Sequence, residues 1–204
     1  MSMTITYEVG QSLYLNLTNR CSNDCQFCIR KMYDGVGSED NLWLDREPTV
    51  AEVKQDIQQR DLTAYREFVF CGYGEPMMRA DDVIEICKWL KENYDLPIRI
   101  NTNGQANLIH GRDITPLLEG LVDTISISMN AKDKAADQAV CHSTYGDEAY
   151  EAMLDFAVKS KQYVPEVVLS VVDCIPREDI EACREIAKGR GLGFRVRHYL
   201  KHAS

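Results

Sequence analysis

The chain has 204 residues, 45% of them hydrophobic and 27% charged, with a formal net charge of −9. That length suits one domain over residues 1–204 that buries roughly 70% of its unfolded surface, and the acidic balance argues against a broad nucleic-acid or anionic-membrane surface. No apolar run approaches the ~20 residues that span a bilayer, and the stretch 1–10 lacks the basic and apolar regions of a secretory signal, so a cytoplasmic protein without membrane attachment is expected.

The first β-like run is 13–18, and it leads directly into Cys21, Cys25 and Cys28. The polar stretch 33–48 reads as a surface loop able to close over a site. A helix starts at Thr49, where Thr49 and Glu52 form a capping box and Val50, Val53 and Ile57 share a face. Strand 67–71 runs into Gly72-Tyr73-Gly74-Glu75-Pro76. A helix over about 81–94 carries Val83, Ile86, Cys87 and Leu90 as its apolar stripe. Strand 98–102, a short helical stretch at 113–120 and strand 124–129 follow. Cys141 and His142 fall in a loop after that strand. Helix 146–162 turns Ala149, Met153, Phe156 and Ala157 inward. Strand 167–173, a helix over about 178–188 and strand 194–198 complete the chain. This alternation predicts an α/β fold with six parallel strands and right-handed crossovers.

Parallel strands buried on both faces read as unbroken apolar runs, but several here alternate. Asn16 and Thr18 oppose Leu13, Leu15 and Leu17. Arg99, Asn101 and Asn103 oppose Ile98 and Ile100. Ser126, Ser128 and Asn130 oppose Ile125, Ile127 and Met129, and Arg195 and Arg197 oppose Phe194 and Val196. Helices must cover the apolar faces, so the polar faces point together into the hollow of a curved sheet. The expectation is a partial (βα)6 barrel whose polar lumen holds a polar ligand.

The cysteine spacing is C-x3-C-x2-C. Three thiolates on one tight loop can each take one iron of a cubic [4Fe–4S] cluster. The fourth iron is left open to a chelating small molecule, of which S-adenosylmethionine (SAM) is the best known. A structural zinc site would want a fourth ligand, and no second C-x2-C or H-x3-H appears downstream. A disulfide fits poorly with a chain lacking a secretory signal. The segment Gly72–Glu75 also follows a strand, so it sits at the same carboxyl end of the sheet, where ligands of parallel α/β folds bind. Its backbone carbonyls and Glu75 are candidate acceptors for an ammonium group.

C-x3-C-x2-C with Phe27, followed by Gly-Tyr-Gly-Glu-Pro, resembles the radical SAM superfamily. The runs 15–21, 70–76, 101–112 and 126–131 resemble one subgroup, the TatD-associated radical SAM proteins. The resemblance implies one [4Fe–4S] cluster on Cys21, Cys25 and Cys28, with SAM chelating the fourth iron. It implies SAM contacts from Gly72, Tyr73, Gly74 and Glu75, an aromatic contact near the adenine from Phe27, and ribose or carboxylate contacts from Asn103, Ser126, Ser128 and Asn130. It further implies reductive cleavage of SAM, with the resulting 5′-deoxyadenosyl radical taking a hydrogen atom from a substrate. A one-electron donor such as flavodoxin or ferredoxin and a functional link to a TatD-type hydrolase belong to the same implication.

Arg99, Arg195 and Arg197 on the polar face point to a small anionic substrate, and Arg195, Arg197, His198, Lys201 and His202 make the C-terminal stretch locally basic. Cys141 and His142 are candidates for a hydrogen donor and a base, and Cys174 for reaching the site. Cys87 and Cys183 read as core. Rival readings are an iron–sulfur electron carrier, a glycyl-radical-enzyme activase and an enzyme like 7-carboxy-7-deazaguanine synthase. The last departs here, because Ile29 follows Cys28 where that family carries a magnesium-binding threonine.

Overall fold

The structure, a computed structural model, describes residues 3–199. It has one seven-stranded sheet: β1 (Thr6–Val9), β2 (Ser12–Leu15), β3 (Glu67–Phe70), β4 (Ile98–Thr102), β5 (Thr124–Ser128), β6 (Glu166–Val172) and β7 (Gly193–Arg197). The strands lie in chain order across the sheet. β2 to β7 pair in parallel, as the alternation requires. The six parallel strands are therefore present, with a seventh that the sequence reading did not include. β1 pairs antiparallel with β2, Val9 opposite Ser12, through a two-residue turn in which Gly10 has φ +60°. A first turn residue with positive φ favours glycine. β1 and β7 do not pair with each other, so the barrel is open.

Among the described residues, six α-helices accompany the strands: α1 (Val50–Gln58), α2 (Ala80–Asn93), α3 (Ala106–His110), α4 (Lys134–Cys141), α5 (Glu148–Ser160) and α6 (Arg177–Gly189). Both bonds of the α1 capping box form: Glu52 N–H donates to Thr49 Oγ1 at 3.2 Å, and Thr49 N–H to Glu52 Oε2 at 2.8 Å. The apolar strand residues Leu13, Leu15, Phe68, Phe70, Ile98, Ile100, Ile125, Ile127 and Leu169 share one buried core with the helix stripes, Cys87 and Cys183 among them. The opposite face carries Tyr14, Cys71, Arg99, Asn101, Ser126, Ser128, Ser170, Arg195 and Arg197, and it lines the hollow.

Two expectations change. Helices α3 and α4 lie where the sequence reading placed no helix, and Cys141 is the last residue of α4 rather than a loop residue. The stretch 33–48 is not a free loop. Leu42 and Leu44 are buried, and Asn16 Nδ2 donates to Leu42 O at 2.7 Å. Asn19 exchanges two bonds with Leu44, at 2.8 and 3.1 Å. Leu42 joins Tyr7 and Tyr73 in a second apolar cluster that also touches Tyr14 and Val36. The segment is thus a pinned strap on the β1 side of the hollow. Of its anchors, Asn16 lies inside the run 13–18 read as strand, where the strand shortens to Ser12–Leu15, and Asn19 lies just past that run.

Candidate active site

The carboxyl ends of β2, β3, β4 and β5 meet in one place. After β2 comes the cysteine loop. Its three thiols are partly exposed and free of disulfides. Burial, with Glu75 next in effect, pushes Cys21 up to about 12, and burial raises Cys28. Cys25 moves the other way, held below the ordinary thiol range first by its contact with Cys141. Binding iron would have to remove the Cys21 and Cys28 protons, and Arg30 opposes burial at both. That guanidinium, two residues past Cys28, donates to Asn19 O (3.3 Å), Asn23 O (3.3 Å) and Tyr73 O (3.5 Å). It ties the cysteine loop to the glycine segment. The sequence reading passed over Arg30; its place beside the motif was the available signal.

After β3, the segment Gly72–Glu75 packs against the chain entering the cysteine loop, and Glu75 N–H donates to Arg20 O at 2.8 Å. The Tyr73 ring turns into the second apolar cluster, 5.1 Å from Trp43. Glu75 is buried, and both its oxygens are engaged. Oε1 accepts from Met77 N–H (3.0 Å) and Thr102 Oγ1 (2.7 Å), and Oε2 from Asn103 N–H (2.7 Å). Glu75 therefore joins the ends of β3 and β4, and the ammonium acceptors that remain in this segment are backbone carbonyls.

Burial pushes the Glu75 carboxyl up to about 7 against those three bonds, each of which favours the charged form. A pKa raised by folding contributes stability that is complete below the unfolded value of 4.5 and is lost as pH rises through about 7. In iron-free protein, the stability difference between wild type and Glu75→Gln should therefore shrink by about 3 kcal/mol from pH 4.5 to 7.5. Urea unfolding at half-unit pH steps checks this; a pH-independent difference would remove Glu75 as the titrating group.

After β4, Asn103 turns toward the cysteine loop. Its Nδ2 lies 2.8 Å from Ser22 Oγ and 4.0 Å from Cys21 Sγ. Gln105, unmarked in the sequence reading, is the hub of a buried network. Its Oε1 accepts from Ser22 (2.8 Å) and Ser143 (3.0 Å), and its Nε2 donates to Asn23 Oδ1 (2.8 Å). After β5, Asn130 adopts φ +59° and is buried, with Nδ2 3.6 Å from Cys141 Sγ and, among the described residues, no partner for Oδ1. Ser126 is buried, and Ser128 accepts from Arg197 at 3.1 Å. Phe27 is half-buried and belongs to neither apolar cluster.

The arginines separate. Arg99 forms a two-pronged pair with Glu67, at 3.1 and 2.7 Å, so it is not free for a substrate. Among the described residues Arg197 has no carboxylate partner, and it faces the hollow near Cys71 and Cys174. Cys174 lies exposed in the turn after β6. Cys141 is 1% exposed and faces the cysteine loop instead of the hollow, which removes it as a hydrogen donor to substrate. His142 is exposed, its ring 3.3 Å from Gln26 Nε2. Lys201 and His202 lie outside the described residues. Tyr199 Oη reaches Met32 Sδ at 3.2 Å, linking the chain beyond β7 to the segment just past Cys28.

The donor set fits an iron–sulfur cluster. Soft thiolates select zinc, copper(I) or iron–sulfur centres. Among the described residues no three His, Cys, Asp or Glu side chains converge as a lone ion needs, whereas a cubane spreads its thiolates over separate irons. The orphaned, buried Asn130 Oδ1 beside this loop is the kind of atom a bound polar cofactor satisfies.

A mostly parallel, open sheet with a three-thiol loop beside a glycine segment suits an enzyme that uses SAM with an iron–sulfur centre. A family model for the radical SAM superfamily matches residues 15–188, and the chain belongs to that superfamily. A Methanocaldococcus jannaschii protein named, provisionally, as a glycyl-radical enzyme activating enzyme is 28% identical over 190 residues, 91% of this chain and 70% of its own. The crystal structure of Streptococcus suis SuiB bound to S-adenosylmethionine superposes with a TM-score of 0.66 at 14% identity, over 94% of this chain and 39% of that one. A radical SAM methyltransferase from Sphaerobacter thermophilus gives a TM-score of 0.58 at 14% identity, over 95% and 68%. The two structures share the fold, and this chain spans about two fifths of the SuiB chain. Among the described residues no helix is long and apolar enough to cross a membrane.

Proposed function

We propose that Cys21, Cys25 and Cys28 hold one [4Fe–4S] cluster and that SAM lies over the carboxyl ends of β3 to β5, within a single domain over residues 1–204. The supporting observation is the meeting of the three-thiol loop, the Gly72–Glu75 segment and a polar sheet face at one end of the sheet. When bound, cluster and SAM supply a 5′-deoxyadenosyl radical by one-electron reductive cleavage. The residues then have positioning work. Backbone carbonyls of Gly72 to Gly74 accept from the methionyl amine. Asn103, Ser126, Ser128 and Asn130 orient ribose and carboxylate, and Phe27 flanks the adenine. Arg30 counters the thiolate charge. Arg197, with no carboxylate partner among the described residues, holds a small anionic substrate in the hollow, while the strap keeps water from the β1 side.

A one-electron donor of the flavodoxin or ferredoxin class and a cytoplasmic setting fit this chemistry. The link to a TatD-type hydrolase rests on the sequence runs alone. The M. jannaschii relative supports a second reading, in which the hydrogen comes from a glycine of a partner enzyme.

Anaerobic reconstitution followed by dithionite and SAM tests the proposal. Native protein is expected to form 5′-deoxyadenosine and Cys25→Ala none. An intact cluster that binds no SAM would leave electron transfer as the function. Deuterium transfer into 5′-deoxyadenosine from a candidate small anion or from a glycyl-radical enzyme separates the two substrate readings.

A further inference from the structure

We infer that Cys141 is a positioning residue for the cluster, donating its S–H to the Cys25 sulfur and thereby raising the cluster's reduction potential. This rests on the reading of Cys25 as an iron ligand. The juxtaposition is built by the backbone. The amides on either side of Cys25, those of Asp24 and Gln26, donate to Cys141 O and Val140 O, both at 2.9 Å, and Gln26 Nε2 donates to Ala139 O at 2.9 Å. These carbonyls belong to the last turn of α4, where a helix has no acceptors' partners of its own. The loop therefore uses the helix end as its platform, which sets the Cys141 side chain beside Cys25.

The thiol is also held from behind. Cys141 is buried. Asn130 Nδ2 donates to its sulfur at 3.6 Å, and the thiol donates to Asp137 Oδ1 at 3.4 Å, the acceptor with which the Cys25 sulfur competes for its hydrogen. Asn130 is itself 97% buried by its 3% exposure, with Oδ1 unpartnered among the described residues. Packing alone would be served as well by valine. A thiol fixed by an amide donor, and facing a ligand sulfur, can do something valine cannot. Hydrogen bonds to ligand sulfurs withdraw electron density and favour the reduced, more negative cluster.

Cys141→Val removes the donor at similar volume, and Cys141→Ser keeps one. Each is reconstituted anaerobically, assayed for iron and sulfide, and titrated potentiometrically with electron paramagnetic resonance of the reduced cluster. The valine variant is expected to show a severalfold to tenfold lower reduced-to-oxidised ratio at fixed potential, tenfold being about 59 mV for one electron. The serine variant should stay within about twofold of native. A valine variant equal to native, or serine and valine shifting alike, overturns the inference. If the valine variant holds no iron, Asp137→Ala takes its place: it removes the competing acceptor and is expected to raise the potential, and an unchanged or lower potential overturns the inference. Native protein that assembles no cluster would instead sink the assignment of Cys21, Cys25 and Cys28.

Discussion

Replacing Gly74 with alanine is expected to displace the cysteine loop and abolish retention of iron. A Cβ at Gly74 would sit 2.3 Å from Thr18 O and 2.5 Å from Arg20 O. Both are backbone atoms, and neither can rotate away as a side-chain tip would. Arg20 O also accepts from Glu75 N–H, and the next residue is Cys21. Relief of the clash must therefore move the entry to the loop and break that bond. Overpacking of this kind costs about 1–3 kcal/mol, and the backbone contact puts Gly74→Ala at the upper end. Gly72→Ala should behave similarly, since its Cβ would meet Asn16 Oδ1 at 2.1 Å while Asn16 is held by Leu42 O and Thr4 O. Gly189 is the control. It lies in α6 with open space around it, so Gly189→Ala should stabilise by about 0.5–1 kcal/mol and leave iron content unchanged. Iron analysis after anaerobic gel filtration, beside urea unfolding, reads both effects. Full iron retention in Gly74→Ala would mean that the loop does not need this approach.

These glycines were legible as a motif but not as a steric requirement. Contiguous features came through: the cysteine spacing, the Thr49–Glu52 capping box, and the alternation that sends Ile98 and Ile100 to the core and Arg99 and Asn101 to the hollow. Such signals depend on neighbours in the chain. Arg99 is instructive, because its face was predictable while its partner Glu67, on the adjacent strand, depends on register. Cys141 was read as a loop residue because α4 is only eight residues long and its docking on Asp24 and Gln26 is a tertiary event. The strap departs from expectation because its polar composition suggests solvent, while it is pinned through its own backbone, bonded by Asn16 and Asn19, and by two buried leucines. β1 carries a usable signal in Thr6-Tyr7-Glu8-Val9 before the turn residue Gly10, a short β-prone run ending at a positive-φ glycine.

Gln105 illustrates the illegible part most sharply, and its removal carries the other large expected effect. A lone glutamine after a strand has no chemistry to mark it. In the fold it joins three chain segments that are far apart in sequence: Ser22 and Asn23 in the cysteine loop, its own turn after β4, and Ser143 after α4. All four side chains are buried. Gln105→Ala would leave the Ser22 and Ser143 hydroxyls and Asn23 Oδ1 without this partner. Each buried group so orphaned costs about 1–3 kcal/mol, and a network usually loses more than one pair suggests. A destabilisation of about 3–5 kcal/mol is expected, with loss of amide-exchange protection concentrated at residues 22–26 and 141–144. Ser22→Ala alone should cost less, and the double variant should cost less than the sum, with a coupling of about 0.5–3 kcal/mol. Additive losses would show that Gln105 and Ser22 act independently. Protection lost evenly over the whole sheet would show that Gln105 supports the fold at large and has no special hold on the cysteine loop.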